Sequence, residues 1–83
     1  MVRLDPILRE AQILDKAIEL ATKTHYLTVT QQDIAKSLGI SRSLVLTYFK
    51  TMDHLRREIV REAKSRKNKI IMIQAIISGE VEE

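Results

Sequence analysis

Four side chains between residues 42 and 47 fall on the outward face of a short predicted helix, where polar groups would meet a partner rather than a core. On a helical wheel, the residues that share this face are Arg42, Ser43, Leu46 and Thr47. A guanidinium can bond to guanine, hydroxyls can bond to several base edges, and an apolar side chain can contact a thymine methyl. The face therefore indicates readout of the major groove of DNA, against the alternative that Leu46 is an ordinary exposed apolar residue.

The chain offers few groups for other chemistry. It contains no cysteine, and its two histidines, His25 and His54, fall in a predicted link and in the first turn of a predicted helix. No pair of carboxylates has a spacing suited to acid–base catalysis. We therefore expect no enzyme activity, no metal site and no cofactor, and the lack of cysteine is compatible with a reducing compartment.

The outward face belongs to a stretch, residues 30–50, with the pattern of a helix-turn-helix. Thr30 opens a helix with T-x-x-D, a variant of the capping box. Gly39 follows at the point where a left-handed residue would end that helix. Ser41 is the predicted N-cap of the next helix, which runs to about Phe49. In this motif the second helix usually enters the major groove.

A longer amphipathic helix should support this unit from the N-terminal side. Asp5 is its predicted N-cap, Pro6 its first residue, and its end falls near Lys23 or Thr24. Its predicted buried stripe consists of Ile7, Ala11, Leu14, Ile18 and Ala21, with Leu8 and Ala17 at the edges. In the link that follows, the residues expected to fill the core are Tyr26, Leu27 and Val29.

The C-terminal part begins with a fourth helix that Thr51 should cap. Its inward stripe is predicted to be Leu55, Ile59 and Ala63, and Glu62 and Arg66 are spaced for an ion pair. The pattern leaves open whether residues 65–69 break this helix or continue it.

The most apolar stretch, residues 70–77, predicts an interface between two copies of the chain. The residues expected to form it are Ile70, Ile73, Ile76 and Ile77. A helix that is apolar on nearly every side has little room to be buried inside so small a protein, so a homodimer is the natural cover. Contact with a membrane is the weaker alternative, because the segment lacks a clear polar face. Gly79 should end the helix before an acidic tail at 80–83.

Composition and charge agree with a small helical protein. The chain has 83 residues, only one proline and two glycines, and no apolar run long enough to cross a bilayer. We expect one all-α domain over 1–83, with a three-helix core at 5–50 and connecting and dimerisation helices at 51–79, in the cytoplasm. Between residues 36 and 69 there are ten basic and three acidic side chains, which suggests a polyanionic partner, and a solvated helix face is an equal alternative on charge alone.

Residues 13–55 resemble the DNA-binding domain of the TetR family of transcriptional regulators. The segments that carry the resemblance are Ile13-Leu14 with Ala17, Thr30-x-x-Asp33-Ile34-Ala35, Leu38-Gly39-Ile40-Ser41, Tyr48-Phe49-Lys50 and Asp53-x-Leu55. The resemblance implies a homeodomain-like three-helix fold. It also implies a homodimer that places two recognition helices on a palindromic operator, usually to repress transcription. By position, it implies phosphate contacts from Thr30 and Gln31, base contacts from Arg42, Ser43 and Thr47, and backbone contacts from Tyr48 and Lys50.

Three departures from the family pattern modify this expectation. The family commonly has tyrosine where this chain has Leu46, so an apolar contact replaces a backbone or base contact there. It commonly has lysine where this chain has Met52, which puts one phosphate contact in question, with Lys50 or His54 as the residues that could compensate. Members also carry a ligand-binding domain after the fourth helix, and we expect neither that domain nor a small-molecule ligand here. The resulting hypothesis is a sequence-specific repressor of double-stranded DNA, and its rival is a helix-turn-helix module that binds another regulator or a polymerase subunit.

Overall fold

The computed structural model describes residues 5–79, which form five helices and no strand. In chain order, these helices are α1 (Pro6–Lys23), α2 (Gln31–Leu38), α3 (Arg42–Tyr48), α4 (Met52–Ser65) and α5 (Lys69–Ile77). The all-α prediction is therefore confirmed. The acidic tail predicted at 80–83 lies outside the described residues.

The helix α1 begins as its sequence predicts but buries a different stripe. The Asp5 side chain accepts a hydrogen bond from the backbone N–H of Ile7 at 2.9 Å, and Pro6 is the first helical residue. The residues of α1 that are buried are Ile13, Ala17, Ile18 and Ala21. The predicted burial of Ile7 and Leu8 is wrong, since these side chains are 78% and 59% exposed. With 18 residues, α1 is longer than each helix packed against it, and its first two turns remain largely exposed.

The core lies where α1, α2, α3 and α4 meet, and the link after α1 contributes to it. Tyr26 and Val29 from this link are buried, as predicted, together with Phe49. Leu27 instead is 36% exposed, because the link turns tightly there and the Thr28 N–H donates to the His25 carbonyl at 3.0 Å. A link that turns between two buried residues points the side chain between them away from the core.

Helices α4 and α5 are separate, which answers the question that the sequence left open. Lys67 has a left-handed backbone (φ 57°), and the chain reverses there after Ser65. Two bonds close the turn: the Asn68 N–H donates to the Ala63 carbonyl at 2.8 Å, and the Lys67 N–H donates to the Lys64 carbonyl at 3.2 Å. This is a Schellman motif.

The turn allows α5 to pack back against the C-terminal end of α1. The Asn68 side chain caps α5 by accepting from the Ile71 N–H at 3.2 Å, and its Nδ2 donates to Thr22 Oγ1 at 3.0 Å. On α5, Ile71 and Ala75 are fully buried against the core. The helix is therefore partly covered by its own chain, which the sequence did not predict.

Gln74 fixes the position of α5 more specifically. Its Oε1 accepts from the backbone N–H of Tyr26 at 3.0 Å, and its Nε2 donates to the carbonyls of Ala21 at 3.2 Å and Thr24 at 3.4 Å. The last carbonyls of a helix lack partners within that helix, so one amide side chain on α5 satisfies groups that α1 leaves open. We call this contact the Gln74 clamp.

An ion-pair network joins α1 and α4 near the same turn. Arg66 pairs with Asp15 on α1 and, at 3.1 Å, with Glu62 one turn earlier on α4. The pair with Glu62 confirms the spacing prediction. The hydrogen bond to Asp15, followed by that to Glu62, raises the pKa of Arg66 above its ordinary value. The guanidinium thus links the end of α4 to α1.

Candidate nucleic-acid interface

The turn between α2 and α3 sets the orientation of the candidate recognition helix. Gly39 is left-handed (φ 68°), and the Ile40 N–H donates to the Ala35 carbonyl at 3.0 Å while the Gly39 N–H donates to that of Lys36 at 3.3 Å. Ala35 itself is buried, and its small side chain fits where α2 and α3 cross. The left-handed turn predicted at Gly39 is therefore confirmed, and its two hydrogen bonds are those of a Schellman motif.

One face of α3 packs inward and thereby exposes the other. Ser41 caps the helix by accepting from the Leu44 N–H at 3.1 Å, and Val45 and Phe49 are buried. With these two residues inside, the three polar side chains predicted to read bases are on the surface: Arg42, Ser43 and Thr47.

Leu46 and Tyr48 of α3 are both half-buried. Leu46 is half-buried rather than fully exposed, because a long helical side chain leans back over the preceding turn. Tyr48 is also half-buried and packs at the edge of the core, so part of its ring is available at the surface. Both positions stay compatible with contacts to a ligand that approaches α3 from outside.

The Thr47 hydroxyl donates its proton within α3. Its Oγ1 donates to the carbonyl of Ser43, one turn earlier, at 3.0 Å. Because the backbone engages the hydroxyl proton, the oxygen of this exposed side chain is left as an acceptor, which suits the exocyclic amino groups of adenine or cytosine.

The N-terminus of α2 contributes a second set of polar groups. Thr30 forms the predicted capping box with Asp33: the Asp33 N–H donates to Thr30 Oγ1 and the Thr30 N–H donates to the Asp33 carboxylate, each at 3.1 Å. The Thr30 hydroxyl accepts within this box and keeps its own proton for an external acceptor such as a phosphate. The partial positive charge of a helix N-terminus also favours an anion there.

Gln31 has a position that the sequence did not predict. It is only 7% exposed, and among residues 5–79 it is the one polar residue that is buried. Its Oε1 accepts from Arg42 Nη2 at 3.5 Å. The Gln31 side chain, for which a phosphate contact was expected, is therefore turned inward, while its backbone N–H lies in the first turn of α2. No local pattern in the sequence signals this contact, since it joins residues on two helices.

The start of α4 shows how the chain accommodates its departure from the family pattern. Thr51 caps α4 by accepting from the His54 N–H at 3.1 Å. Met52, at the position where lysine is common, is half-buried and packs against the core. The His54 ring lies 5.5 Å from that of Phe49. Lys50 is exposed just before this helix and is the cation closest in sequence to the end of α3.

Basic charge continues along α4 on the side away from the core. Its exposed basic residues are Arg57, Arg61 and Lys64. The lysines of α1 differ, because Glu19 pairs with Lys16 at 2.7 Å and with Lys23 at 3.3 Å. Hydrogen bonds from these lysines, Lys16 first, lower the pKa of Glu19. Positive charge on α1 is thus largely compensated. The ion pairs of α4, Arg56–Asp53 at 3.8 Å and Arg61–Glu58 at 3.9 Å, are longer, and Arg57 and Lys64 add further exposed cations.

Residues 5–79 contain neither a membrane-spanning helix nor a cluster of metal ligands. No helix among residues 5–79 combines the length and apolarity needed to cross a bilayer. Within the same residues, no three or more His, Asp or Glu side chains come together as metal ligands do.

A capped helix pair, joined by a left-handed glycine and exposing a polar face on its second helix, defines a helix-turn-helix protein of the DNA-binding class. The family model of bacterial regulatory proteins of the tetR family matches residues 13–64, well over half of the chain. The chain belongs to this family and is a DNA-binding transcriptional regulator rather than a member of an enzyme family. No curated protein and no solved structure gives a significant match.

Proposed function

We propose that this regulator acts as a homodimeric repressor that binds a palindromic operator. The observation that carries the proposal is the exposed polar face of α3, which the turn at Gly39 presents outward while Val45 and Phe49 hold the opposite face in the core. One seven-residue helix offers few base contacts, so two copies on two half-sites are needed for specific binding.

The base contacts in this proposal come from α3. Arg42 bonds to guanine in the major groove, and the hydroxyls of Ser43 and Thr47 bond to neighbouring base edges. Leu46, half-buried, supplies an apolar contact of the kind that suits a thymine methyl. These four residues form a small reading face.

The phosphate contacts come from groups on either side of that face. Thr30 offers a hydroxyl, Gln31 a backbone N–H at the N-terminus of α2, and Lys50 an exposed ammonium group. Tyr48 contributes the exposed part of its ring and its hydroxyl. Such contacts would fix the orientation of α3 without selecting a base sequence.

The second copy is proposed to bind through α5. Ile71 and Ala75 bury one side of this helix in the chain's own core, but Ile70, Ile73 and Ile77 are 51%, 56% and 80% exposed. Ile76 lies half-buried at the edge of that apolar face. Three large exposed isoleucines within nine residues favour a self-complementary contact across a twofold axis, and such an axis matches a palindromic operator. Repression follows if the bound dimer occupies a promoter.

Salt dependence of duplex binding tests the DNA-reading part. The logarithm of the affinity for a labelled random-sequence duplex should fall steeply with the logarithm of the salt concentration, by about 0.9 per phosphate contacted. Lys50→Ala should lower the slope by about 1 for each subunit bound, and Arg42→Ala should relax the preference at one base at a cost of roughly 1–3 kcal/mol. Lys23→Ala, which removes an exposed lysine on α1, is the matched control. A flat salt dependence would support the protein-interaction rival.

Sedimentation equilibrium tests the dimer. Ile73→Asp should yield monomers, because it places a charge in the centre of the proposed interface. Ile7→Asp makes the same change at an isoleucine that is 78% exposed on α1, and it should leave the dimer intact. If only Ile7→Asp dissociates the protein, the interface lies on α1 instead of α5.

A further inference from the structure

A hydrogen bond joins Gln31, the first residue of α2, to Arg42, the first residue of α3. Its Oε1 lies 3.5 Å from Arg42 Nη2, and the geometry allows the guanidinium to donate. Gln31 is only 7% exposed, whereas Arg42 is exposed. The amide thus holds the arginine from the protein side and leaves its outer side in solvent.

Burial of this amide needs a physical reason. A polar side chain withdrawn from water is unfavourable unless it keeps a hydrogen bond, and a glutamine at the first turn of a helix could equally have pointed into solvent. Its neighbour Gln32 does so, since it is exposed. The hydrogen bond to Arg42, at 3.5 Å, offsets part of this cost, whereas the exposed Gln32 keeps its contacts with water.

The contact leaves Arg42 able to read a base. A guanidinium carries five N–H donors in one plane, so an acceptor on one Nη2 proton still leaves donors for the O6 and N7 atoms of guanine. Arginine has many rotamers, and a side chain already held in place loses less conformational freedom when it binds. An acceptor at Nη2 restricts how the guanidinium turns, which favours the bidentate geometry that guanine requires.

We propose that Gln31 is a positioning residue that orients Arg42 and thereby sets the preference for guanine at one operator position. This inference rests on the proposed function, in which Arg42 reads a base. Gln31 acts through Arg42 and makes no base contact with its own side chain. Its effect is therefore on specificity at a single position rather than on binding in general.

Selection from a pool of randomised duplexes tests the proposal with the full chain. Gln31→Leu keeps the volume of the side chain in its buried site but removes the acceptor. We expect it to reduce the guanine preference at the Arg42 position by roughly threefold to tenfold and to leave preferences elsewhere unchanged. Gln31→Glu retains an acceptor but adds negative charge near the DNA. It should keep the preference and bind every duplex more weakly.

Two further variants separate positioning from a general role in the fold. Gln31→Leu in an Arg42→Ala background should leave the selected sequence the same as that of Arg42→Ala alone, because the residue it acts through is gone. Gln32→Leu, at the exposed neighbour, should leave the selected sequence unchanged. Thermal unfolding of each variant shows whether any change in preference arises from loss of structure, and Gln31→Glu provides the comparison if Gln31→Leu is unstable.

The outcomes distinguish this inference from the function on which it rests. If Arg42→Ala relaxes one position and Gln31→Leu does not, or if Gln31→Glu relaxes it as Gln31→Leu does, the positioning role is wrong and the proposed function stands. If Arg42→Ala changes no preference, Arg42 is not a base reader and both assignments fall. If the wild-type protein selects no sequence and binds no duplex, the proposed function itself fails.

Discussion

The turn between α2 and α3 and the turn between α4 and α5 close with the same backbone hydrogen-bond pattern but depend on different interactions. Each ends a helix at a left-handed residue, which is Gly39 in the first turn and Lys67 in the second. Glycine adopts this conformation without steric cost, whereas a residue with a Cβ atom does so at a cost of about 1–2 kcal/mol. The second turn must therefore be supported from elsewhere.

That support comes from contacts with α1. The Gln74 clamp and the bond from Asn68 to Thr22 attach α5 to the end of α1, and Arg66 pairs with Asp15 just before the turn. The first turn does not need such support, because Gly39 adopts the left-handed conformation without steric cost. The turn at Gly39 is thus specified by its own residues, whereas the turn at Lys67 also depends on distant ones.

The largest effect is expected at the Gln74 clamp. Gln74→Leu removes the acceptor for the Tyr26 N–H and the donor to the carbonyls of Ala21 and Thr24. Because these groups are at least partly withdrawn from water, the free energy of unfolding should fall by about 2–4 kcal/mol. Urea denaturation measures it. Gln32→Leu, at an exposed glutamine, should change it by less than about 0.5 kcal/mol, and equal curves for the two variants would show that the clamp adds nothing to stability.

An intermediate effect is expected at Gly39. A Cβ atom there would meet nothing within 4 Å, so Gly39→Ala introduces only the strain of a left-handed alanine. The free energy of unfolding should fall by about 1–2 kcal/mol, and Gly39→Asn should lose less, because asparagine tolerates this conformation better. Thermal denaturation compares the two variants. Equal losses for alanine and asparagine would mean that the cost comes from contacts and not from the backbone angle.

The sequence predicted those features that depend on neighbours in the chain. The caps at Asp5, Thr30, Ser41 and Thr51, and the turn at Gly39, are all as predicted, because each is made within a few residues. The resemblance to the family and the exposure of Arg42 could be predicted for the same reason, because both depend on patterns of neighbouring residues.

The features that the sequence did not predict depend on contacts between distant residues. Gln74 and Tyr26 are 48 residues apart, and Gln31 meets Arg42 across a turn, so no periodic pattern reveals either contact. The burial of Ile13 in place of Ile7 depends on where α1 meets the shorter helices. A lysine gives no turn signal, so the end of α4 near Lys67 could not be predicted without the contacts that hold it.

The smallest effect, and the one that tests the comparison most directly, is expected at Lys67. Lys67→Gly should raise the free energy of unfolding by about 0.5–1 kcal/mol, because relief of the left-handed strain exceeds the added freedom of glycine in the unfolded chain. Lys67→Ala keeps the Cβ atom but removes the charge, and it should change stability little. If glycine brings no gain in thermal denaturation, the lysine side chain contributes a stabilising contact of its own, and the two turns are less alike than their hydrogen bonds suggest. A gain from glycine with none from alanine would mean that contacts with α1 hold Lys67 in a conformation that Gly39 adopts unaided.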